Sequence, residues 1–126
     1  MFSTNPPPEI TTAPIIQHIT DLYKNIYRLG HSLPKRDKLG LHTKLENQCG
    51  DCLKLAIEAA FTAKWQKVPY LQKLRLEIEV TKRLTRLEHE LKIIDSKNYL
   101  NLAQQLCDIS KETTGWINSL QKKETA

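Results

Sequence analysis

From Pro14 onward, apolar residues fall at helical spacing. Ile15, Ile19, Leu22, Ile26, Leu29 and Leu33 recur at steps of 4, 3, 4, 3 and 4, the repeat of a helix with one packed face. Thr12 is placed to cap this helix, Pro14 sits in its first turn where a missing N–H is harmless, and Pro34 ends it. A second helix is predicted over about residues 39–65. Leu41, Leu45, Cys49, Cys52, Ala56, Ala60 and Ala63 fall on one side of it, and Lys44, Asp51, Lys54 and Glu58 on the other. Lys67-Val68-Pro69 interrupts the pattern, and Pro69 opens a third helix predicted to reach Ile94. Asp95-Ser96 closes that helix and caps a fourth, with the Ser hydroxyl placed to accept from the new first turn. The fourth helix carries Tyr99, Ala103, Leu106, Thr113, Ile117 and Leu120, and Leu102, Ile109 and Trp116 widen its stripe.

Four helices of roughly 20 to 27 residues, each ~30 to 40 Å long and joined by short loops, predict an all-α antiparallel up-down-up-down four-helix bundle. It spans residues 13–121. Residues 1–12, with Pro6, Pro7 and Pro8 in a row, read as a flexible Pro-rich arm, and residues 122–126 as a tail.

The third helix has two apolar faces. Leu76, Val80, Leu84, Leu87, Leu91 and Ile94 cluster within about 80° of arc, while Leu71, Leu74 and Ile78 lie near the opposite side. One bundle core cannot cover both. Either the helix kinks, or the 66–70 connection covers the second face, or another subunit does; on the last reading Leu71, Leu74 and Ile78 form an oligomer interface. Between the two faces Arg75, Lys82, Arg86 and His89 align at steps of 7, 4 and 3, a row that is either a solvated face or a surface for an anion or acidic partner.

Composition supports the helical class and limits the chemistry. The chain has 126 residues with only four Gly and 6% aromatic residues, too few turn and β-forming residues for a sandwich or barrel. Cys49-Gly50-Asp51-Cys52 matches C-x-x-C, but inside a helical pattern with no strand before it, so its thiols read as small core residues. His42 lies seven residues before Cys49 on the same face, yet no further ligand pair completes a zinc site. The residues three before His18, His31, His42 and His89 are Ile15, Arg28, Leu39 and Arg86, so the Glu-x-x-His motif of di-iron bundles is missing. Phosphate-binding glycine loops and the nucleophile elbow are missing as well. No catalytic residue, metal or cofactor is expected.

Three Cys cannot close into pairs, no secretory signal opens the chain, and no run reaches the ~18 apolar residues of a membrane span. A cytoplasmic protein is expected. The net charge of +5 comes from residues 34–75, which hold nine basic and four acidic residues, and this makes a polyanionic partner reasonable. Pro34-Lys35-Arg36-Asp37-Lys38 concentrates three cations in the first bend, either as ordinary loop solubility or as a phosphate contact. No aromatic residue interleaves it, so base stacking is not indicated by the local sequence.

In order along the chain, Pro14-Ile15-Ile16, Asp21-Leu22-Tyr23-Lys24, Leu33-Pro34-Lys35-Arg36 with Lys38-Leu39-Gly40-Leu41, and Leu55-Ala56-Ile57-Glu58-Ala59 carry a family resemblance. Leu87-Glu88-His89-Glu90-Leu91, Asp95-Ser96-Lys97-Asn98-Tyr99 and Gly115-Trp116-Ile117 complete it. Over about residues 14–120 the chain resembles the four-helix-bundle accessory variability determinants of diversity-generating retroelements, and more distantly the bundle proteins of ribosomal-RNA intervening sequences. The resemblance implies a non-enzymatic, barrel-shaped homopentamer that binds the retroelement's reverse transcriptase and its template-repeat RNA. It points to Lys35, Arg36 and Lys38 as contacts, and further to Arg75, Lys82 and Arg86. The Pro-rich arm and the C-x-x-C stretch depart from the family's usual pattern. The alternative from a different class is a helical adaptor that binds only protein.

Overall fold

The computed structural model describes residues 14–125, with side chains to residue 122; the Pro-rich arm of residues 1–12 lies outside the described residues. Four long helices form: α1 (Ile15–Gly30), α3 (Leu41–Phe61), α4 (Lys67–Glu90) and α5 (Ser96–Thr125). A five-residue helix, α2 (Lys35–Leu39), occupies the first bend, and a 3-10 turn (Lys64–Gln66) the second. No strand occurs among the described residues. α1 packs against α3 and α5, and α4 packs against the same two helices, so the helices form a four-helix bundle with sequential neighbours adjacent. α5 continues through the segment expected as a tail.

The first helix stops at Gly30, short of Leu33, because the chain tightens into successive turns with His31, Ser32 and Leu33 N–H groups bonded to Arg28, Leu29 and Gly30 carbonyls at 3.2, 3.3 and 3.3 Å. Gly30 is required by packing. A Cβ there would lie 3.1 Å from His42 Cδ2 and 3.3 Å from its Nε2. At Gly40, between α2 and α3, a Cβ would meet the Arg36 carbonyl oxygen at 2.8 Å, so only glycine allows the bend to close this tightly.

α3 ends at Phe61, earlier than its apolar pattern suggested, and its last carbonyls have an unexpected partner. The buried Lys67 places Nζ 2.7 Å from the Ala59 oxygen and 3.0 Å from the Ala60 oxygen. A cation there complements the negative end of the helix dipole. Pro69 lies in the first turn of α4 as expected, but α4 ends at Glu90 and not Ile94. Lys92 turns left-handed at φ 61° and the Ile93 N–H bonds back to the Glu88 carbonyl at 2.8 Å, a six-to-one closure of the helix end. The cap of α5 is Asp95, whose Oδ1 accepts the Asn98 N–H at 2.8 Å; the Ser96 hydroxyl pairs with His89 Nε2 at 3.2 Å instead.

The core joins Ile15, Ile19, Leu22 and Ile26 of α1 to Leu45, Cys49, Cys52 and Ala56 of α3, with Leu102, Leu106, Ile109 and Ile117 from α5. The α4 contribution corrects the sequence expectation. Leu71, Leu74 and Ile78 are buried inside this core, so they are not available as an oligomer interface. The buried stripe of α4 continues as Thr81, Thr85 and Glu88, polar residues that hid it from an apolar periodicity count. Thr81 and Thr85 hydroxyls donate to the Glu77 and Thr81 carbonyls, each at 2.8 Å, which satisfies them within their own helix. Most of the other face is left outside: Leu76 and Leu91 are each 63% exposed and Val80 and Leu87 are also exposed, whereas Leu84 packs partly against the core and Ile94 is buried in it.

Candidate nucleic-acid and partner interface

The bend end of the bundle collects cations from segments far apart in sequence. Lys35, Arg36 and Lys38 all project from α2 into solvent. The short helix is held by the Lys38 N–H to the Pro34 carbonyl at 2.9 Å, and by Thr43 Oγ1 donating to the Lys38 carbonyl at 2.7 Å. Exposed Lys92 and Lys97 arrive from the α4–α5 connection.

Three acids at this end have partners. Asp37 pairs with Arg36 at 3.5 Å, Glu90 with Arg86 at 3.5 Å, and Asp95 caps α5. Lys35, Lys38, Lys92 and Lys97 make no ion pair among the described residues. Their charges are not neutralised by direct pairing.

A groove of about 790 Å³ opens between the bend and the α4–α5 connection, lined in part by Leu29, Leu33 and Ile93 and in part by charged Glu90, Lys92 and Asp95. His89 lines it too, and the Tyr99 ring stacks on His89 with centroids 4.5 Å apart and planes 14° from parallel. The basic bend has no aromatic residue in its local sequence; folding brings one there from α4.

Arg75, Lys82 and Arg86 lie on one face of α4, as their spacing predicted. Lys82 is bound to Glu79 at 3.1 Å and Arg86 to Glu90, so this row is partly neutralised, whereas Arg75 and Arg83 are exposed without an ion pair among the described residues. The row borders the exposed Leu76, Val80, Leu87 and Leu91 stripe.

The core groups that could carry chemistry are arranged for structure. Cys49 Sγ reaches toward the Ile19 carbonyl at 3.9 Å, and Cys52 Sγ lies 3.4 Å from Thr81 Oγ1. Burial, and secondarily the neighbouring Cys52, pushes the Cys49 thiol up to about 12. Burial also dominates at Cys52, with the Thr81 hydrogen bond opposing it and the Glu77 and Asp51 charges adding to it, and the thiol is pushed up to about 11. Both are protonated near neutral pH and are poor nucleophiles.

Deeper under the bend, His42 and Glu88 are fully buried, with Nδ1 of the ring 2.7 Å from Glu88 Oε2. His42 Nε2–H donates to the Ile26 carbonyl at 2.6 Å. Burial alone lowers the imidazole pKa, but the hydrogen bond and charge of Glu88, the Ile26 carbonyl and the charge of Glu46 outweigh it, and the net shift is upward. This pair ties α1, α3 and α4 together beneath α2. Its sequence signal was the step of 3 from Thr85 to Glu88, which extends the 3-and-4 spacing of Leu71, Leu74, Ile78, Thr81 and Thr85.

The bundle thus presents a basic bend and an exposed apolar helix face, and its core thiols are protonated. The chain belongs to the bAvd-like family, whose family model matches residues 14–120. That family is of an accessory, non-catalytic type. No curated protein and no solved structure matches the chain significantly. No described helix is long and apolar enough to cross a membrane.

Proposed function

We propose that this protein is the accessory variability determinant of a diversity-generating retroelement: a cytoplasmic scaffold that assembles as a barrel-shaped homopentamer and holds the reverse transcriptase on its template-repeat RNA. The observation that carries this reading is the outward face of α4, where an apolar stripe runs along four exposed residues beside a basic row. A face of this kind has no role within its own bundle, and burial against a neighbouring copy stabilises it at roughly 25 cal/mol per Å² of apolar area removed from water. Repeating the bend around one axis multiplies weak contacts into avidity. Lys35, Arg36 and Lys38 serve as primary partner contacts and Arg75, Lys82 and Arg86 as secondary ones, since two of the latter three are already paired. The mechanism is electrostatic and scaffold-like.

Co-purification with the retroelement's polymerase and its RNA tests the reading. The unmodified protein is expected to retain both, and the triple variant Lys35→Glu, Arg36→Glu, Lys38→Glu to lose both while remaining helical. Retention of the polymerase with no RNA dependence at all identifies the protein-only adaptor instead.

A further inference from the structure

We propose that the groove at the bend end is a subsite for one unstacked base of single-stranded RNA, with the base lying against His89 and the flanking phosphates held by Lys35, Lys38, Lys92 and Lys97. This deepens the RNA-binding reading above and rests on it. Three observations converge there. The groove, at about 790 Å³, falls within the ~300 to 1,000 Å³ range of small-ligand sites. Its lining is mixed, with an aliphatic part that includes Leu33 and Ile93 and can take a flat apolar body, and a polar part that includes Glu90, Lys92 and Asp95. Lys92 lines it, Lys35 and Lys97 directly follow the lining residues Pro34 and Ser96, and these three and Lys38 of the same bend make no ion pair among the described residues, while the two carboxylates in the lining are engaged, Glu90 by Arg86 and Asp95 as the cap of α5.

The aromatic pair decides the ligand class. Tyr99 covers one face of the His89 ring, so His89 lines the groove with its other face or its edge. A base stacking there lengthens an existing stack, and Ser96 Oγ at 3.2 Å from Nε2 restrains the imidazole. Stacking of this type tolerates any base, because every base has a π-face. Ser32 and Asn98, also in the lining, add hydrogen-bonding groups. An acidic peptide uses the lysines equally well but gains nothing specific from a stacked ring.

Fluorescence anisotropy of the full-length protein separates these cases with three labelled probes: a 12-nucleotide oligoadenylate, an abasic oligomer of the same length and charge, and polyglutamate. The expected result is tighter binding of oligoadenylate than of the abasic oligomer. His89→Ala removes that preference, a loss of about fivefold or more given what one base stack contributes, without changing the salt dependence. His89→Phe restores it, which a merely structural role for the imidazole does not predict, and far-UV circular dichroism of both variants establishes that the bundle is intact. Equal binding of the two oligomers, or a preference that survives His89→Ala, overturns the subsite and leaves RNA binding standing. Failure of both oligomers to bind overturns the RNA reading itself. Binding of polyglutamate alone, lost on reversing Lys35 and Lys38, assigns the bend to an acidic protein and overturns the subsite with it.

Discussion

At the residue scale the most consequential feature is the His42–Glu88 pair, because two ionisable side chains with no exposure lie inside the core. Removing one partner of such a pair leaves the other buried and uncompensated, at a cost of roughly 3 to 5 kcal/mol. Its pH dependence follows from the upward shift of His42. A group whose pKa is higher in the folded state contributes stability that is fully present below its unfolded value of 6.5 and is lost as pH rises through the raised folded value. Urea midpoints are therefore expected to fall above about pH 6.5 in the wild type, and to fall less in His42→Gln, which titrates no proton there. Identical pH profiles for the two proteins contradict the assignment. The thiols were legible as core residues because Cys49 and Cys52 follow the 3-and-4 spacing of Leu45 and Ala56. The pair was not, because a buried Glu looks like a surface residue until its partner, 46 positions away, is known.

At the element scale, the order and starts of the four long helices were readable from periodicity and proline placement, whereas their ends, the short α2 and the inward face of α4 were not. Counting apolar residues favoured Leu76, Val80, Leu84, Leu87 and Leu91 as the bundle face, yet the inward side is Leu71, Leu74, Ile78, Thr81, Thr85 and Glu88. Threonine hydroxyls bonded to their own helix, and a carboxylate bonded to a histidine of α3, let polar residues occupy core positions. The end of α4 was misjudged for a related reason: Lys92 takes a left-handed conformation without being glycine. This inversion moves the proposed assembly surface to Leu76, Val80, Leu87 and Leu91. Leu76→Glu with Leu91→Glu is expected to shift the protein from an oligomer to its 14.6 kDa protomer with helical content retained, while Leu74→Glu unfolds the bundle because it places an unpaired charge in the core. Light scattering combined with circular dichroism reads both outcomes, and a 14.6 kDa mass for the unmodified protein at micromolar concentration removes the assembly.

For the whole molecule, the net charge of +5 is modest, and its distribution matters more than its size. The sequence located the surplus in residues 34–75, but not the contributions of Lys92 and Lys97, which only the antiparallel fold brings to the same end as the bend. The α4–α5 reversal is what brings Lys97 back toward His89, as the His89 contact with Ser96 shows. Phosphate binding at this end is expected to be sequence-independent and salt-sensitive, because it releases counterions without reading bases. The most direct measurement is the affinity for template-repeat RNA across a range of salt concentrations, for the wild type and for Lys35→Glu, Arg36→Glu, Lys38→Glu. The account predicts that the slope of log affinity against log salt becomes shallower by roughly 0.7 for each phosphate that the variant no longer neutralises, with affinity reduced similarly for all RNA sequences. An unchanged slope and an unchanged affinity in the triple variant contradict it.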